Sequence, residues 1–208
     1  MESLPLIHIG GGTATGKDTV ARELRDRLQK RTGMEWEVKG GSLSERNPFS
    51  EIAQGLSKKG VTHSSIYTTL AALSLMYDIK NADVTTPTVL AGFNALRSAA
   101  VHVDGGTKLA PLFLKLLKDS SSVFRASFIL EADLAERVKR LQGRRDQQTR
   151  NDMKIISEPE RVLRLDDTLL RLGVKYLGSE AVDTTNLPAN EVADLLADRY
   201  FQIITNDI

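Results

Sequence analysis

The stretch from residue 4 to residue 28 reads LPLIHIGGGTATGKDTVARELRDRL. It begins with a short apolar run that ends at Ile9, which is typical of a parallel strand covered on both faces. After the glycines, apolar residues recur at the spacing of an amphipathic helix, and we expect this helix to end near Gly33. A strand, a glycine-rich loop and a helix follow one another, which predicts an α/β fold.

Residues 11 to 17, GGTATGK, fit the pattern of a glycine, four residues, a glycine and a lysine. Glycines let the backbone turn so that several N–H groups point at one anion, and the helix N-terminus adds positive charge. Lys17 supplies a mobile cation for nucleotide phosphates. The alternative is a turn that only begins a helix. We expect this loop and the helix start to bind ATP through Gly11, Gly12, Thr13, Ala14, Thr15, Gly16, Lys17, Asp18 and Thr19.

Thr19 and Asp104 are the two candidates for holding Mg²⁺. Asp18 stands where most such loops have the Ser or Thr that contacts the metal, and the hydroxyl follows one place later at Thr19. Residues 98–103 predict a third strand that ends at Asp104. A carboxylate at the carboxyl end of a strand is able to hold a water of the magnesium shell. The alternative for Asp104 is a loop aspartate that caps the next turn.

Alternation of strands and helices continues along the chain, with further strands predicted at residues 35–39, 126–130 and 180–183. This order indicates a parallel sheet with right-handed crossovers. We expect one domain with a three-layer P-loop fold and a five-stranded parallel sheet. Its core comprises residues 1–41, 98–141 and 153–208. Residues 42–97, where Thr86 and Pro87 suggest a helix start, form a helical insertion.

Residues 142–152 are almost wholly polar and rich in arginine, so they cannot bury a core. We expect a short lid that excludes water from the phosphates. A solvated basic surface is the alternative. The arginines that a lid would bring to the transferred phosphoryl group, beside Lys17, are Arg140, Arg144, Arg145 and Arg150.

Composition narrows the class of protein. The 208 residues carry a net charge of +1 and no cysteine, which excludes disulfides and thiolate metal sites. A near-zero charge gives no general attraction to nucleic acid or anionic membranes. No apolar run reaches the roughly 20 residues of a membrane helix, and the acidic N-terminus is unlike a signal peptide. We expect a cytoplasmic protein, a monomer or homodimer, whose partners are small nucleotides.

With these features in order, the chain resembles the nucleoside monophosphate kinases, and among them the cytidylate kinases. The resemblance rests on residues 4–32 and 126–200, including GKDT at 16–19, FILEA at 128–132, Glu136-Arg137 with Arg140, the lid residues Arg145-Asp146 and Arg150, and AVDTTNL at 181–187. It implies a magnesium-dependent transfer of phosphate from ATP to CMP or dCMP, with the insertion binding the acceptor.

In that family an arginine near the start of the insertion holds the acceptor phosphate, and Arg46 is the equivalent candidate here. Cytidylate kinases have Gly-Arg after the third strand, whereas this chain has Gly105-Gly106, so Arg97 becomes a second substrate-binding candidate beside Asp104. Two alternatives stay open. One is a P-loop kinase for another small metabolite, and the other is a nucleotide-binding module that has lost catalysis.

Overall fold

The computed structural model describes residues 4–44, 46–58, 65–82, 84–143 and 150–206. Its strands are β1 (Leu6–Gly11), β2 (Glu37–Gly41), β3 (Thr88–Phe93), β4 (Ala126–Glu131) and β5 (Glu180–Asp183). Its helices are α1 (Lys17–Thr32), α2 (Pro48–Lys58), α3 (Ser65–Lys80), α4 (Asn94–Asp104), α5 (Ala110–Asp119), α6 (Leu134–Gln142), α7 (Arg150–Ser157), α8 (Pro159–Leu177) and α9 (Ala189–Asn206).

Within this part of the chain, five parallel strands form one sheet in the order β2-β3-β1-β4-β5. The central strand β1 pairs Ile7 with Val89 of β3 and Ile9 with Phe128 of β4. The expected five-stranded parallel sheet is confirmed. Because the carboxyl ends of parallel strands meet at one edge, the segments that follow β1, β3 and β4 lie side by side there.

Helices cover both faces of the sheet and bury two apolar clusters. On one face, Val20 and Leu24 of α1 pack with Val192 and Leu196 of α9. The other face buries residues of α4, α5 and α8, such as Leu96, Phe113 and Leu172. This arrangement confirms the three layers. Among the described residues, none of the helices is both long and apolar enough to cross a membrane.

The prediction of a third strand at residues 98–103 is wrong. The third strand is β3, and residues 94–104 form α4. Pro87 does not begin a helix but precedes β3, whose first residue, Thr88, donates its N–H to the carbonyl of Pro5 at 3.0 Å. The buried residues of α4 recur at helical spacing: Ala95, Leu96, Ala99 and Ala100. The sheet therefore includes residues 88–93, which lie within the predicted insertion of residues 42–97.

The insertion contains α2 and α3, and a buried carboxylate on α3 ties it to the loop after β2. Asp78 accepts hydrogen bonds from Ser42 Oγ at 2.7 Å and from the amide of Asn47 at 3.0 Å, and also from the hydroxyl of Ser44. Donors from three loop residues compensate for taking this carboxylate out of water. The network fixes the loop that carries Arg46.

Candidate phosphate and acceptor site

The glycine-rich loop joins β1 to α1 at the centre of the sheet. Gly11 and Gly16 both have positive φ, of 141° and 92°. A Cβ on Gly11 would lie 2.6 Å from the carbonyl oxygen of Leu130, so only glycine fits there. Thr15 Oγ1 donates to the carbonyl of Gly12 at 3.0 Å and tightens the turn. Strand, loop and helix thus follow one another as the sequence predicts.

Lys17 is the first residue of α1, and its side chain folds back over the loop. Its Nζ lies 3.4 Å from the carbonyl oxygen of Gly12. Burial lowers the pKa of Lys17, and the positive charges of Arg97 and Arg137 lower it further, while Asp18 and Asp166 oppose the change. Three cations, from α1, α4 and α6, therefore face one region, which favours an anion between them.

Arg137 of α6 and Asp166 of α8 lie together on the outer side of the loop. Arg137 is only 2% exposed and donates through Nε to the carbonyl of Thr13 at 2.8 Å. Its Nη1 donates to Asp166 Oδ2 at 2.5 Å. A Cβ on Gly12 would collide with Asp166 Oδ1, so this oxygen faces the loop. Burial raises the pKa of Asp166, although Arg137 acts in the opposite direction.

Sequence reasoning did not identify this pair as part of the site. Arg137 and Asp166 are 29 residues apart and belong to different helices. Arg137 entered the sequence argument only through the resemblance of Glu136-Arg137 to the segment before the lid, and Asp166 belongs to no motif that marks a phosphate site. Asp166 is followed by Asp167 in a helix, a pattern typical of an exposed face. Only the packing of α8 over the loop shows that Asp166, and not Asp167, contacts the loop.

Arg140 links the loop to the turn after β5. It donates to the carbonyl of Thr15 at 3.1 Å and to the carbonyl of Thr184 at 2.7 Å, and Glu136 accepts from its Nε at 3.0 Å. Beside it opens a cleft of about 480 Å³, bordered by Gly16 and Thr19 at the helix start and by residues 184–189. The cleft runs from the loop to the turn after β5, on the side of the loop away from β3.

A smaller cavity of about 110 Å³ lies at the carboxyl ends of β1, β2 and β3. Gly41, Gly92 and Arg97 line it, and the Lys17 side chain approaches Gly92, where a Cβ would lie 3.8 Å from Lys17 Cε. Arg97 stands in the first turn of α4. Arg46 is exposed on the loop after β2. The phosphate loop thus lies between this cavity and the larger cleft.

Asp104 does not lie where the sequence predicted it. It is the last residue of α4, about 15 Å along the helix axis from Asn94 at 1.5 Å per residue. Its carboxylate lies 3.8 Å from Arg164 Nε. The premise for Asp104 as an acceptor or magnesium residue, a strand that ends at residue 103, is therefore wrong.

The remaining predicted residues divide between described and undescribed parts of the chain. Thr19 borders the large cleft, and Asp18 is exposed in the first turn of α1. Arg144 and Arg145 of the predicted lid lie outside the described residues. Arg150 begins α7, but its side chain is also outside them. The lid arginines stay predictions.

Carboxylates that border the loop fit a magnesium site of the kind completed by substrate phosphates. Among the described residues, no group of three or more His, Asp or Glu is arranged to hold a metal. Magnesium needs only one or two carboxylates when phosphates and waters supply the rest of its shell. Asp166 Oδ1 faces Gly12, and Glu131 at the end of β4 borders the same hollow. These oxygens are suited to hold the metal through water.

Solved structures of kinases share this fold. Thymidylate kinase from Candida albicans matches with a TM-score of 0.63 at 15% identity, covering 99% of this chain and 93% of that one. Shikimate kinase from Acinetobacter baumannii, in complex with shikimate, matches with a TM-score of 0.54 at 19% identity, covering 99% and 96%.

The YorR protein from Bacillus subtilis, in complex with phosphorylated GDP, matches with a TM-score of 0.54 at 16% identity, covering 97% of each chain. No protein-family model and no curated protein sequence matches the chain. At these identities the comparisons establish the fold and not the substrate. The chain has the fold of the P-loop kinases of small molecules, with its five parallel strands in the order 2-3-1-4-5.

Proposed function

We propose that this protein is an ATP-dependent kinase that transfers a phosphoryl group to a small acceptor, with the nucleoside monophosphates CMP and dCMP as the first candidates. The observation that carries the proposal is the position of Lys17. Its cation lies over a loop built for phosphate, with a large cleft on one side and a small cavity on the other. Direct transfer requires that the donor and the acceptor meet at this lysine.

The donor nucleotide would place its phosphates in the loop at residues 11–19 and its base in the 480 Å³ cleft. The N-terminus of α1 and Lys17 favour the phosphates electrostatically. Arg140 borders the cleft and is anchored by Thr15 and Thr184, so its planar guanidinium is held in one orientation against the bound nucleotide.

Phosphoryl transfer asks the protein for positioning and for positive charge around the transferred group. Lys17, Arg97 and Arg137 would supply that charge from described elements, and the lid arginines 144, 145 and 150 would add to it on closure. Magnesium, held through water by Asp166 and with Thr19 as the nearby hydroxyl, would neutralise the donor phosphates. Replacing Arg145 and Arg150 together by Ala should lower kcat more than ATP affinity.

The preference for CMP or dCMP rests on the resemblance of the lid and the closing segment to cytidylate kinases. Arg97 and Arg46 are the residues proposed for the acceptor's phosphate. A kinase for a hydroxylated metabolite is the second candidate. The small size of the cavity beside Arg97 and the fold shared with a shikimate kinase favour it. We place the protein in the cytoplasm as a monomer or homodimer.

A coupled ADP-release assay with CMP, dCMP, UMP, AMP, dTMP and shikimate tests the acceptor. We expect CMP or dCMP to give the highest kcat/KM, and Arg97→Ala to raise the acceptor KM while it leaves the ATP KM unchanged. The exposed Arg22, whose Nε donates to the carbonyl of Asp18 in the same helix, provides the matched control Arg22→Ala. Higher activity with shikimate than with every monophosphate would favour the second candidate. ATP binding without turnover of any acceptor would favour the inactive module.

A further inference from the structure

His8 lies in the middle of β1 and is fully buried, yet one of its ring nitrogens has no hydrogen-bond partner among the described residues. Nδ1 lies 2.8 Å from Ser127 Oγ, and Ser127 Oγ lies 2.7 Å from Ser179 Oγ. Within the described part of the chain, Nε2 makes no hydrogen bond. A buried polar atom without a partner is unfavourable, because it has given up its hydrogen bonds to water and gained none in return. An apolar residue at this position would avoid this cost. A ligand or a water that forms a hydrogen bond with Nε2 would explain why a histidine is present.

The free edge of the imidazole faces the carboxyl end of β1. A Cβ on Gly10 would lie 2.6 Å from Ile129 Cδ1, 2.9 Å from His8 Cε1 and 3.1 Å from Nε2, so only a glycine at position 10 leaves room between this edge of the ring and Ile129. Both His8 and Gly10 line the 110 Å³ cavity that also contains Arg97. Phe93 and Phe124, which also contact each other, pack against the ring at centroid distances of 6.0 and 5.4 Å.

The imidazole is uncharged when it presents Nε2. Burial lowers the pKa of His8 to about 3. The ring therefore offers a single neutral hydrogen bond between pH 5 and pH 8. Charge for an anionic group comes instead from Arg97 and from the N-terminus of α4, whose first turn contains no acidic residue. The cavity thus has a cationic rim and a neutral polar floor.

We propose that the cavity floor is a subsite for a neutral polar group of the acceptor, such as a hydroxyl or an amide, and that His8 Nε2 makes a hydrogen bond with it. This inference rests on the proposed function, since it assigns the cavity to the acceptor. A volume of about 110 Å³ equals that of three to four waters, which suits a fragment of the acceptor rather than a whole nucleotide. A buried site that pairs with one polar group rejects analogues lacking that group.

The direct test is NMR of the protein with ¹⁵N-labelled histidine, observing the ring nitrogens. The chain has three histidines, and a His8→Gln variant identifies the His8 signals. The probes are CMP, cytidine, dTMP and shikimate for the acceptor, and a non-hydrolysable ATP analogue and inorganic phosphate as anions that lack the acceptor group. We expect at least one acceptor probe to shift the Nε2 signal by several ppm, while phosphate and the ATP analogue leave it in place.

Failure of this inference is distinguishable from failure of the proposed function. If no acceptor probe moves the Nε2 signal, the inference is overturned, even if the ATP analogue binds at the loop. If the ATP analogue perturbs no backbone amide signal of residues 11–19 in a second, uniformly ¹⁵N-labelled sample, the kinase proposal fails instead. A shift with shikimate and none with CMP supports the subsite and rejects the pyrimidine acceptor.

A kinetic test uses glycine positions in two strands of the sheet, β1 and β2. Gly10→Ala puts a methyl group beside Nε2 and against Ile129 Cδ1, and it should raise the KM of the acceptor at least tenfold while the ATP KM stays unchanged. Gly40→Ala in β2 is the matched control, because nothing lies within 4 Å of a Cβ there. An equal acceptor KM in folded Gly10→Ala and Gly40→Ala contradicts the inference. Should Gly10→Ala fail to fold, the NMR experiment on the unaltered protein still decides.

Discussion

Asp166 and Arg137 form an ion pair, 2.5 Å long, that joins α8 to α6 on the outer side of the phosphate loop; Arg137 is buried and Asp166 is partly exposed. Arg137 also donates to the carbonyl of Thr13, and Asp166 packs against Gly12, so both partners contact the loop directly. The two residues flank the proposed lid in sequence. The pair therefore connects the phosphate loop to the helices on either side of the lid.

Removing Asp166 should be strongly destabilising. Asp166→Ala leaves the 2%-exposed guanidinium of Arg137 without its counter-charge. Because Asp166 is 25% exposed, we expect a loss of about 3 kcal/mol, the lower end for a buried pair. The double variant Asp166→Ala/Arg137→Ala should lose less than the sum of the two single losses. Urea denaturation measures these free energies of unfolding.

The neighbouring Asp167 is the control for that experiment. Its ion pair with Arg171 is exposed on both sides, at 65% and 66%, so Asp167→Ala should cost less than about 1 kcal/mol. Equal losses for Asp166→Ala and Asp167→Ala would contradict the structural role of the buried pair.

Ala14 is strained, with a φ of 60° in the phosphate loop. The left-handed conformation costs an L-residue roughly 1–2 kcal/mol, whereas glycine adopts it freely. Ala14→Gly should therefore raise the free energy of unfolding by about 1 kcal/mol, as measured by thermal or urea denaturation. In the interior of α3, Ala71→Gly should have the opposite sign, because glycine weakens a helix by about 1 kcal/mol. Destabilisation by Ala14→Gly would show that the loop gains nothing from relief of this strain.

His8 should make stability depend on pH. Its pKa is lowered from 6.5 in the unfolded chain to about 3 in the folded protein. Between these values the unfolded state binds the extra proton, so stability falls as pH falls, by roughly 1.4 kcal/mol per unit. Comparing unfolding free energies of the protein and a His8→Phe variant from pH 7 to pH 4 isolates this contribution. The variant should lack it, and identical slopes would contradict the burial of a neutral imidazole.

Arg140 should control nucleotide affinity rather than stability alone. Arg140→Ala removes a guanidinium that borders the large cleft and releases the carbonyls of Thr15 and Thr184. We expect the Kd for ATP, measured by calorimetry, to rise at least tenfold, about 1.4 kcal/mol. The acceptor Kd should change less than twofold. A larger increase in the acceptor Kd than in the ATP Kd would indicate that the cleft binds the acceptor and the cavity binds ATP.

The sequence predicts the loop well because all its parts are contiguous. Strand, glycines, lysine and helix follow one another within about 30 residues, and local backbone requirements decide their shape. The third strand was misplaced because residues 88–93 and 98–103 are both short apolar runs. Periodicity does not separate a buried strand from a buried helix over such a length. Because Asp104 follows residues 98–103, its expected position at the carboxyl end of a strand was wrong for the same reason.

The other contributors to the site could not be found from local patterns. His8, Arg137 and Asp166 acquire their roles from partners far along the chain: Ser127, Thr13 and Gly12. Tertiary packing alone brings them to the loop, and each is an ordinary strand or helix residue in the sequence. Arg97 was predicted as a substitute for a missing arginine, and the strand that places it at the sheet edge became clear only in the structure.

The central claim is that Lys17 serves phosphoryl transfer from ATP. The most direct measurement compares ADP release by the unaltered protein with that by Lys17→Ala, using ATP, Mg²⁺ and the best acceptor of the panel. Lys30→Ala, an exposed lysine in the last turn of the same helix, is the control. We predict that Lys17→Ala folds and loses at least a hundredfold in kcat, about 2.7 kcal/mol, while Lys30→Ala keeps full activity. Unchanged turnover in a folded Lys17→Ala variant would contradict the claim.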